Sequence, residues 1–388
     1  MKNVLISMML LGMLPMAKQE KSGPVKPPPV IPGNIVIITI DGFRWQEFFG
    51  GADSVLINNT SATTDPGLMN ELFWASSPEE RRKKLMPFTW SVVEKKGQLY
   101  GNRQYENKVN VANSYSLSYP GYNEIFTGNT DPFVASNKKY YNPNINVLEY
   151  LDSKEPFKGK VVAFTSWDVF PYILNTKRNG LKVNSGYDNR HKSEETVTKL
   201  VSEVEDVVEE KVQTRNDQLT FISAREYIKQ YRPKVIYLGL GETDESAHDG
   251  RYDLYLQQAY AADKMIAELW YWMQTTPGYK DNTTFIITTD HGRGMKTGKW
   301  TSHGSLIRGS SQVWLAVMGP GIQALGEVKE NQQIYQKQLA QTIAVLVGEK
   351  FETDQPVAEA VALSFEKKAP SHIKQDEAGS SFITVAGK

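Results

Sequence analysis

Five short apolar runs, each far from the next, constrain this chain more than any other feature of its sequence. They are Asn34–Ile40 (NIVIITI), Val161–Thr165, Lys234–Leu240, Thr284–Thr289 and Val313–Met318. Each is nearly continuous in Val, Ile, Leu or Phe rather than alternating, the pattern of parallel strands covered on both faces. Helical spacing of apolar residues appears over Glu79–Lys96, Glu194–Lys211, Gln218–Tyr231, Asp253–Met273 and Gln332–Val347. Parallel neighbours need long crossovers, and the intervals here leave room for them. The pattern therefore predicts one α/β domain over residues 34–388: a doubly wound, mostly parallel sheet with helices on both faces. Two polar, aromatic-bearing stretches, 50–78 and 129–146, are long for plain connections and predict loop insertions over a site.

Composition removes several classes of function. The 44 Lys+Arg balance the 44 Asp+Glu, so there is no basic excess to mark a nucleic-acid surface. With 40% hydrophobic residues the chain is not a disordered charged tail. It has no cysteine, which excludes disulfides, thiolate metal sites and Cys nucleophiles. Any metal must be held by His, Asp, Glu or backbone oxygen. Residues 1–17 (MKNVLISMMLLGMLPMA) join one Lys to an apolar run and a small Ala17, and read as a bacterial-type signal peptide too short to span a bilayer. Residues 18–33, rich in Pro and Lys, read as an extended tether. The expected product is exported, periplasmic or secreted, with no membrane span in the mature chain.

In an open parallel sheet, ligands bind beyond the carboxyl ends of the strands. After NIVIITI comes Asp41-Gly42; after VIYLGLG come Asp244 and His248, within E-T-D-E-S-A-H; after TFIITT comes Asp290-His291-Gly292. His303-Gly304 lies in the loop before the Val313 run. Taken singly, such an Asp could be a helix cap or turn residue, and Asp244–His248 could be a surface pair. Yet three of the five histidines fall on these loops, the other two being His191 and His372. Carboxylate and imidazole are the ligand set for zinc when Cys is absent, with manganese also tolerated. Six such ligands are too many for one catalytic zinc with an open position, and suit two divalent ions better.

A two-metal site calls for a nucleophile, and Ala112–Gly128 (ANSYSLSYPGYNEIFTG) offers three hydroxyls, Ser114, Ser116 and Ser118. Lys108–Val111 is strand-like, Pro120 suits a first helical turn and Gly128 the position past a helix end. Ser118 thus stands at or near a helix N-terminus, where the dipole favours developing negative charge. A plain N-cap would look the same.

Together these motifs resemble the alkaline phosphatase superfamily, and within it the nucleotide pyrophosphatase/phosphodiesterase branch. I-D-G (Ile40–Gly42), S-Y-P-G-Y-N-E-I-F-T-G (Ser118–Gly128), D-E-S-A-H (Asp244–His248), T-D-H-G (Thr289–Gly292), S-H-G (Ser302–Gly304) and M-G-P-G (Met318–Gly321) occur in that family's order. The resemblance spans roughly residues 34–348. It implies one metal on Asp41, Ser118, Asp290 and His291, and another on Asp244, His248 and His303. It implies Ser118 as nucleophile and, at Asn137, an amide that holds a phosphoryl oxygen. Ser118 stands where that branch has Thr, and Gly121-Tyr122 depart from its pattern, which predicts an altered surface beside the nucleophile.

The expected activity is hydrolysis of a phosphate ester or nucleotide through a covalent phosphoseryl intermediate. Lys177-Arg178 are candidate cations for a monoester; Phe43, Trp45, Tyr122 and Trp167 are candidate aromatics for a diester's leaving group. A sulfatase is a weaker fit, because Ser118-Tyr119-Pro120-Gly121-Tyr122 lacks the Arg of a formylglycine motif. A phosphoglycerate mutase-like enzyme and a non-catalytic metal-binding relative are weaker readings of the same motifs. The export reading predicts a mature N-terminus between about residues 17 and 24. N-terminal sequencing of protein recovered from its native cell checks it, and an intact Met1 would rule it out.

Overall fold

The computed structural model describes residues 33–187, 201, 203–205 and 212–366. The signal-peptide and tether readings (apart from Gly33), nearly all of the expected helix at 194–211, His191 and His372 lie outside the described residues. Eleven strands are described: β1 Asn34–Ile40, β2 Gly97–Tyr100, β3 Asn107–Asn110, β4 Val161–Thr165, β5 Lys182–Ser185, β6 Val235–Leu240, β7 Thr283–Thr288, β8 Gln312–Val313, β9 Leu315–Met318, β10 Gly326–Glu327 and β11 Gln332–Tyr335. Eight of them form the main sheet in the order β10-β2-β9-β7-β1-β6-β4-β5. A small second sheet runs β11-β3-β8.

The centre of the main sheet is β1, parallel to β6 on one side and β7 on the other. Every residue of β1 is buried, and its side chains alternate between two cores. Val36, Ile38 and Ile40 pack with Leu256 and Ile266 of the helix Tyr252–Gln274. Ile35 and Ile37 pack with Tyr119, Ile125 and Phe126 of the helix Ser118–Thr127 and with Ile343 of Leu339–Leu346. Both faces are thus covered by helices, the doubly wound arrangement that the unbroken apolar runs predict. Register aligns the strand ends: Ile40 lies opposite Leu240, and Thr39 opposite Thr288. The residues that follow, Asp41, Gly241 and Thr289-Asp290, therefore share one edge.

Three expectations need correction. The Val313–Met318 run is not one parallel strand. It splits at Trp314, and β9 runs antiparallel to both β7 and β2, with Leu315 opposite Thr288. The chain leaves β7 at the carboxyl edge and re-enters the sheet from that same edge, so it has to run back. Glu79–Lys96 is not one helix: Pro78–Leu85 ends at Met86, and a π-helical turn, Thr89–Val93, leads into Glu94–Lys96. Pro87 has no N–H and bars a helical residue before it. The Asp263 carboxylate then takes the backbone N–H of Phe88 and Thr89 and the Thr89 hydroxyl at 2.6, 2.9 and 2.6 Å, restarting the spiral. Gln332–Val347 is helical only from Leu339, after a short 3-10 turn, because Gln332–Tyr335 is drawn into a parallel ladder with β3.

The two long insertions take different positions. Residues 50–78 close on the start of the helix Tyr252–Gln274, where the Tyr252 hydroxyl accepts from Asp53 N and the Asp253 carboxylate from Thr64 N. Residues 129–146 lie against the start of the helix Ser118–Thr127: the Tyr119 hydroxyl donates to Tyr140 O at 2.7 Å.

Gly121 sets how closely that helix approaches the strand ends. A Cβ there would stand 2.4 Å from the carbonyl oxygen of Asp290. The helix cannot back away without opening the core around Tyr119, Ile125 and Phe126. Gly121→Ala should lower stability by about 1–3 kcal/mol, the usual cost of overpacking. Urea denaturation measures it, and an unchanged midpoint would show that the helix retreats freely.

Candidate two-metal site

Asp41 follows β1 and is 4% exposed. Its Oδ2 accepts from the Tyr122 hydroxyl at 2.9 Å, while its Oδ1 is buried without a partner. Asp290, fully buried after β7, shows the same division. Its Oδ1 accepts from Gly42 N at 3.1 Å, and its Oδ2 has no partner. Both unsatisfied oxygens lie 3.5 Å from Nε2 of His291. His291 Nδ1 donates to Gly292 O at 3.0 Å, which leaves Nε2 as the free lone pair facing the carboxylates. Ser118, the first residue of a ten-residue helix, puts its Oγ 3.2 Å from that same Nε2. A carboxylate oxygen left unsatisfied in a protein interior is costly, and two of them side by side more so.

The second group is built on the next strand over. Asp244 and His248 sit on the helix Glu242–His248 that follows β6, four residues apart and so on one face. Asp244 Oδ2 lies 3.1 Å from His248 Nε2, which is 3.1 Å from His303 Nε2. His303 comes from the long return loop between β7 and β9. Its Nδ1 donates to Ser116 O at 3.0 Å, turning Nε2 inward, and its ring stacks on His291 with centroids 3.8 Å apart. Asp41, Asp290 and His291 thus offer donor atoms all within 4.8 Å of one another, and so do Asp244, His248 and His303.

Electrostatics separates the two groups. Burial, followed by the neighbouring Asp290 and Asp244 charges, raises the Asp41 carboxyl well above its ordinary range. Burial and then Asp244 push Asp290 up to about 6. For Asp244, burial is outweighed by the Arg293 guanidinium and the His248 hydrogen bond, which hold its carboxyl well below the usual range. Burial lowers His291 to about 4; burial and the adjacent His291 lower His303 to about 3. Both imidazoles are therefore neutral near pH 7, the form that binds a metal. Buried carboxylates crowded together and raised, with unsatisfied oxygens turned onto a neutral imidazole, fit a divalent cation by the chemistry of the donors.

All seven residues expected as metal ligands fall into these two groups, and Asn137 lies beside them. Its Oδ1 accepts from the backbone N–H of Tyr119 at 3.0 Å, and among the described residues its Nδ2 takes no partner. Of the three serines, Ser114 is exposed, and Ser116 lies in a left-handed conformation (φ 49°) and contributes its carbonyl. The backbone leading to Ser118 is pinned by the buried Glu124 carboxylate, which accepts from Ala112 N and Asn113 N, while Asn113 Oδ1 accepts from Tyr115 N and Ser116 N.

Several expectations about the rim are overturned. Tyr122 and Gly121 do not reshape a surface: both are buried, and Tyr122 bonds Asp41. Phe43 is a core residue packed edge-on to Trp314. Arg178 is engaged by Glu149 and the carbonyls of Asn142, Pro143 and Asn144, and so is not a free cation. Trp45 and Trp167 stay half-buried. Arg293 was not expected at all. It follows the D-H-G directly and donates to Asp244 Oδ1, Trp300 O and Thr301 O. A lone basic residue between two glycines, two positions after a candidate ligand, was the available signal.

Residues 182–350 match the family model described as the Metalloenzyme superfamily. A search of curated proteins gives no match. Among solved structures, the chain is similar to the lipoteichoic acid synthase LtaP from Listeria monocytogenes, at 13% identity, over 86% of this chain and 76% of that one, with a TM-score of 0.54. It is similar to a mutant of the alkaline phosphatase PafA, at 11% identity, over 82% and 96% of the two chains, with a TM-score of 0.54. It is also similar to Ps i-CgsB in complex with k-i-k-neocarrahexaose, at 13% identity, over 84% and 74%, with a TM-score of 0.51. The fold is the one these solved structures share, an alkaline phosphatase-like α/β arrangement, as the motif order implies.

The Tyr122 hydroxyl fixes which oxygen of Asp41 stays free. Burial holds this phenol well above its ordinary pKa, so it remains a donor. Tyr122→Phe should weaken divalent-metal binding by about 10–100-fold, the usual effect of losing a partner behind a ligand. Competition with a chromophoric chelator measures this, and an unchanged affinity would show that the hydroxyl plays no part.

Proposed function

We propose that this alkaline phosphatase-superfamily chain is a two-metal hydrolase of phosphate esters that works through a phosphoseryl intermediate on Ser118. The observation that carries the reading is the Ser118 hydroxyl at a helix N-terminus, 3.2 Å from His291 Nε2 and beside two buried carboxylates, each with an unsatisfied oxygen. A hydroxyl so placed needs no other function to explain it.

Asp41, Asp290, His291 and Ser118 would hold one ion, and Asp244, His248 and His303 the other. Two bound divalent ions would supply Lewis-acid stabilisation of the phosphoryl oxygens and lower the pKa of the hydroxyl and of the hydrolytic water. The chain's own residues do the rest. The N-terminus of the helix Ser118–Thr127 favours negative charge as the Ser118 proton leaves. Ser118 Oγ forms a bond to phosphorus while the ester P–O bond on the opposite side breaks, and the departing oxygen takes a proton from water. Water then attacks phosphorus, the Oγ–P bond breaks, and the proton returns to Ser118. Asn137, anchored through its Oδ1 to Tyr119 N, turns its amide donor to a phosphoryl oxygen.

A diester or nucleotide is the preferred substrate class. A monoester carries more charge and calls for an added cation; of the pair Lys177-Arg178, Arg178 is consumed by Glu149 and three carbonyls, and Lys177 is exposed with its Nζ 5.7 Å over the Tyr141 ring. Zinc is the expected metal, on the strength of imidazole and carboxylate donors, with manganese tolerated. Export to the periplasm or medium goes with this reading.

Turnover of p-nitrophenyl phosphate, bis-p-nitrophenyl phosphate and thymidine monophosphate p-nitrophenyl ester, with added Zn²⁺, tests it. The diesters should be cleaved faster than the monoester, and EDTA should abolish the activity. Ser118→Ala should lower kcat by roughly 10³-fold or more. Ser118→Thr should retain part of the rate, and Ser114→Ala should change little. Trapping at low pH followed by mass spectrometry should find phosphate on Ser118; phosphate on Ser114, on Ser116 or on no residue overturns the assignment.

A further inference from the structure

The two ligand groups are unlike in charge. The Asp41–Ser118–Asp290–His291 group holds two carboxylates, each satisfied at one oxygen by a neutral donor, the Tyr122 hydroxyl or Gly42 N, and unsatisfied at the other. Both Asp residues are nearly inaccessible, at 4% and 0% exposure. The Asp244–His248–His303 group holds one carboxylate, and that one is already paired. Its Oδ1 takes Nη1 of Arg293, leaving Oδ2 to face His248.

Arg293 cannot leave. It is 1% exposed, its Nε donates to Trp300 O at 3.0 Å and its Nη2 to Thr301 O at 2.5 Å. A guanidinium does not deprotonate in a protein, so the positive charge is permanent. The bare Cα of Gly42 makes room for the pair: a Cβ there would stand 2.4 Å from Asp244 Oδ1 and 2.8 Å from Arg293 Nη1. A divalent ion entering the first group would be faced by two carboxyls that have no cationic partner of their own. One entering the second meets a carboxylate and an arginine that cancel, in an interior where charges are poorly screened. His248, moreover, is nearly half exposed.

We propose that Arg293 divides the site into a tight subsite, Asp41–Ser118–Asp290–His291, and a loose subsite, Asp244–His248–His303, which fills last and is completed by the anionic phosphoryl group of the ligand. The proposal rests on the two-metal reading above. A phosphoryl anion bound beside the second group would supply the negative charge that this group lacks. By linkage, each should then tighten the other. Arg293 acts through Asp244 and is a positioning residue, not a catalytic one.

Zinc titration of the metal-stripped mature protein against a competing chelator, with and without inorganic phosphate, tests this by stoichiometry and affinity alone. Two steps should appear, separated by about 100-fold, the scale expected for opposite local charge balances. Phosphate should tighten only the weaker one. Asp290→Asn should remove the tight step and His248→Ala the weak one. Arg293→Gln should narrow the gap about tenfold or more, whereas Arg293→Lys, which keeps the charge, should preserve it. Two equal steps, a tight step lost in His248→Ala, or a gap unchanged or widened in Arg293→Gln would overturn the proposal. If Arg293→Gln does not fold, the wild-type and His248→Ala titrations still decide it. Two equal steps with active hydrolysis would sink this inference and leave the hydrolase reading standing; no zinc binding at all would sink both.

Discussion

Two carboxylates, Asp41 and Asp290, are buried side by side at the ends of adjacent parallel strands, each with one oxygen that no protein donor satisfies. Such an arrangement is expensive in a folded interior, and much of the surrounding structure is what holds it in place. The strands set the spacing, since β1 and β7 end in register. Gly42 and Tyr122 take up one oxygen of each carboxylate and so decide which oxygen remains free. Gly121 lets the helix Ser118–Thr127 come close enough to touch Asp290. A divalent cation is the partner that this charge distribution lacks.

The reversed strand β9 has a consequence for the site. Because β9 runs against β7, with Leu315 opposite Thr288, the connection between them begins and ends at the carboxyl edge. Its residues never cross to the far side of the sheet. They deliver His291, Arg293 and His303 from a single loop, and the stacking of His291 on His303 is a contact across that loop. A parallel β9 would have needed a crossover and carried His303 away. The Ser116 carbonyl ties the same loop to the segment before Ser118, so those residues and the last expected ligand are fixed relative to each other.

Charge is distributed unevenly over the two halves of the site. The half built from Asp41 and Asp290 has two carboxyls and no cationic partner, while the half built from Asp244 carries its own counter-ion in Arg293. This difference in partners is what the proposed tight and loose subsites rest on.

The sequence by itself determined the sheet and the edge on which the candidate ligands gather. Unbroken apolar runs report burial on both faces, which is a local property of each strand, and the strand-end rule then places Asp41, Asp244, His248, Asp290 and His291 on one edge without further information. The helix at Ser118 was legible for the same reason, because Pro120 and Gly128 act on their own backbone. What only the tertiary structure decided were contacts between segments far apart in the chain. The direction of β9 depends on where its connection re-enters the sheet, and the strand character of Gln332–Tyr335 depends on its pairing with β3. Tyr122 looked like a surface departure from a motif and proved to be the interior partner of Asp41. Arg293 had no expected role until Asp244, about fifty residues earlier, was seen against it. Periodicity and capping record what a segment does to itself, whereas a carboxylate's second oxygen is satisfied by whatever the fold brings to it, and no local pattern carries that information.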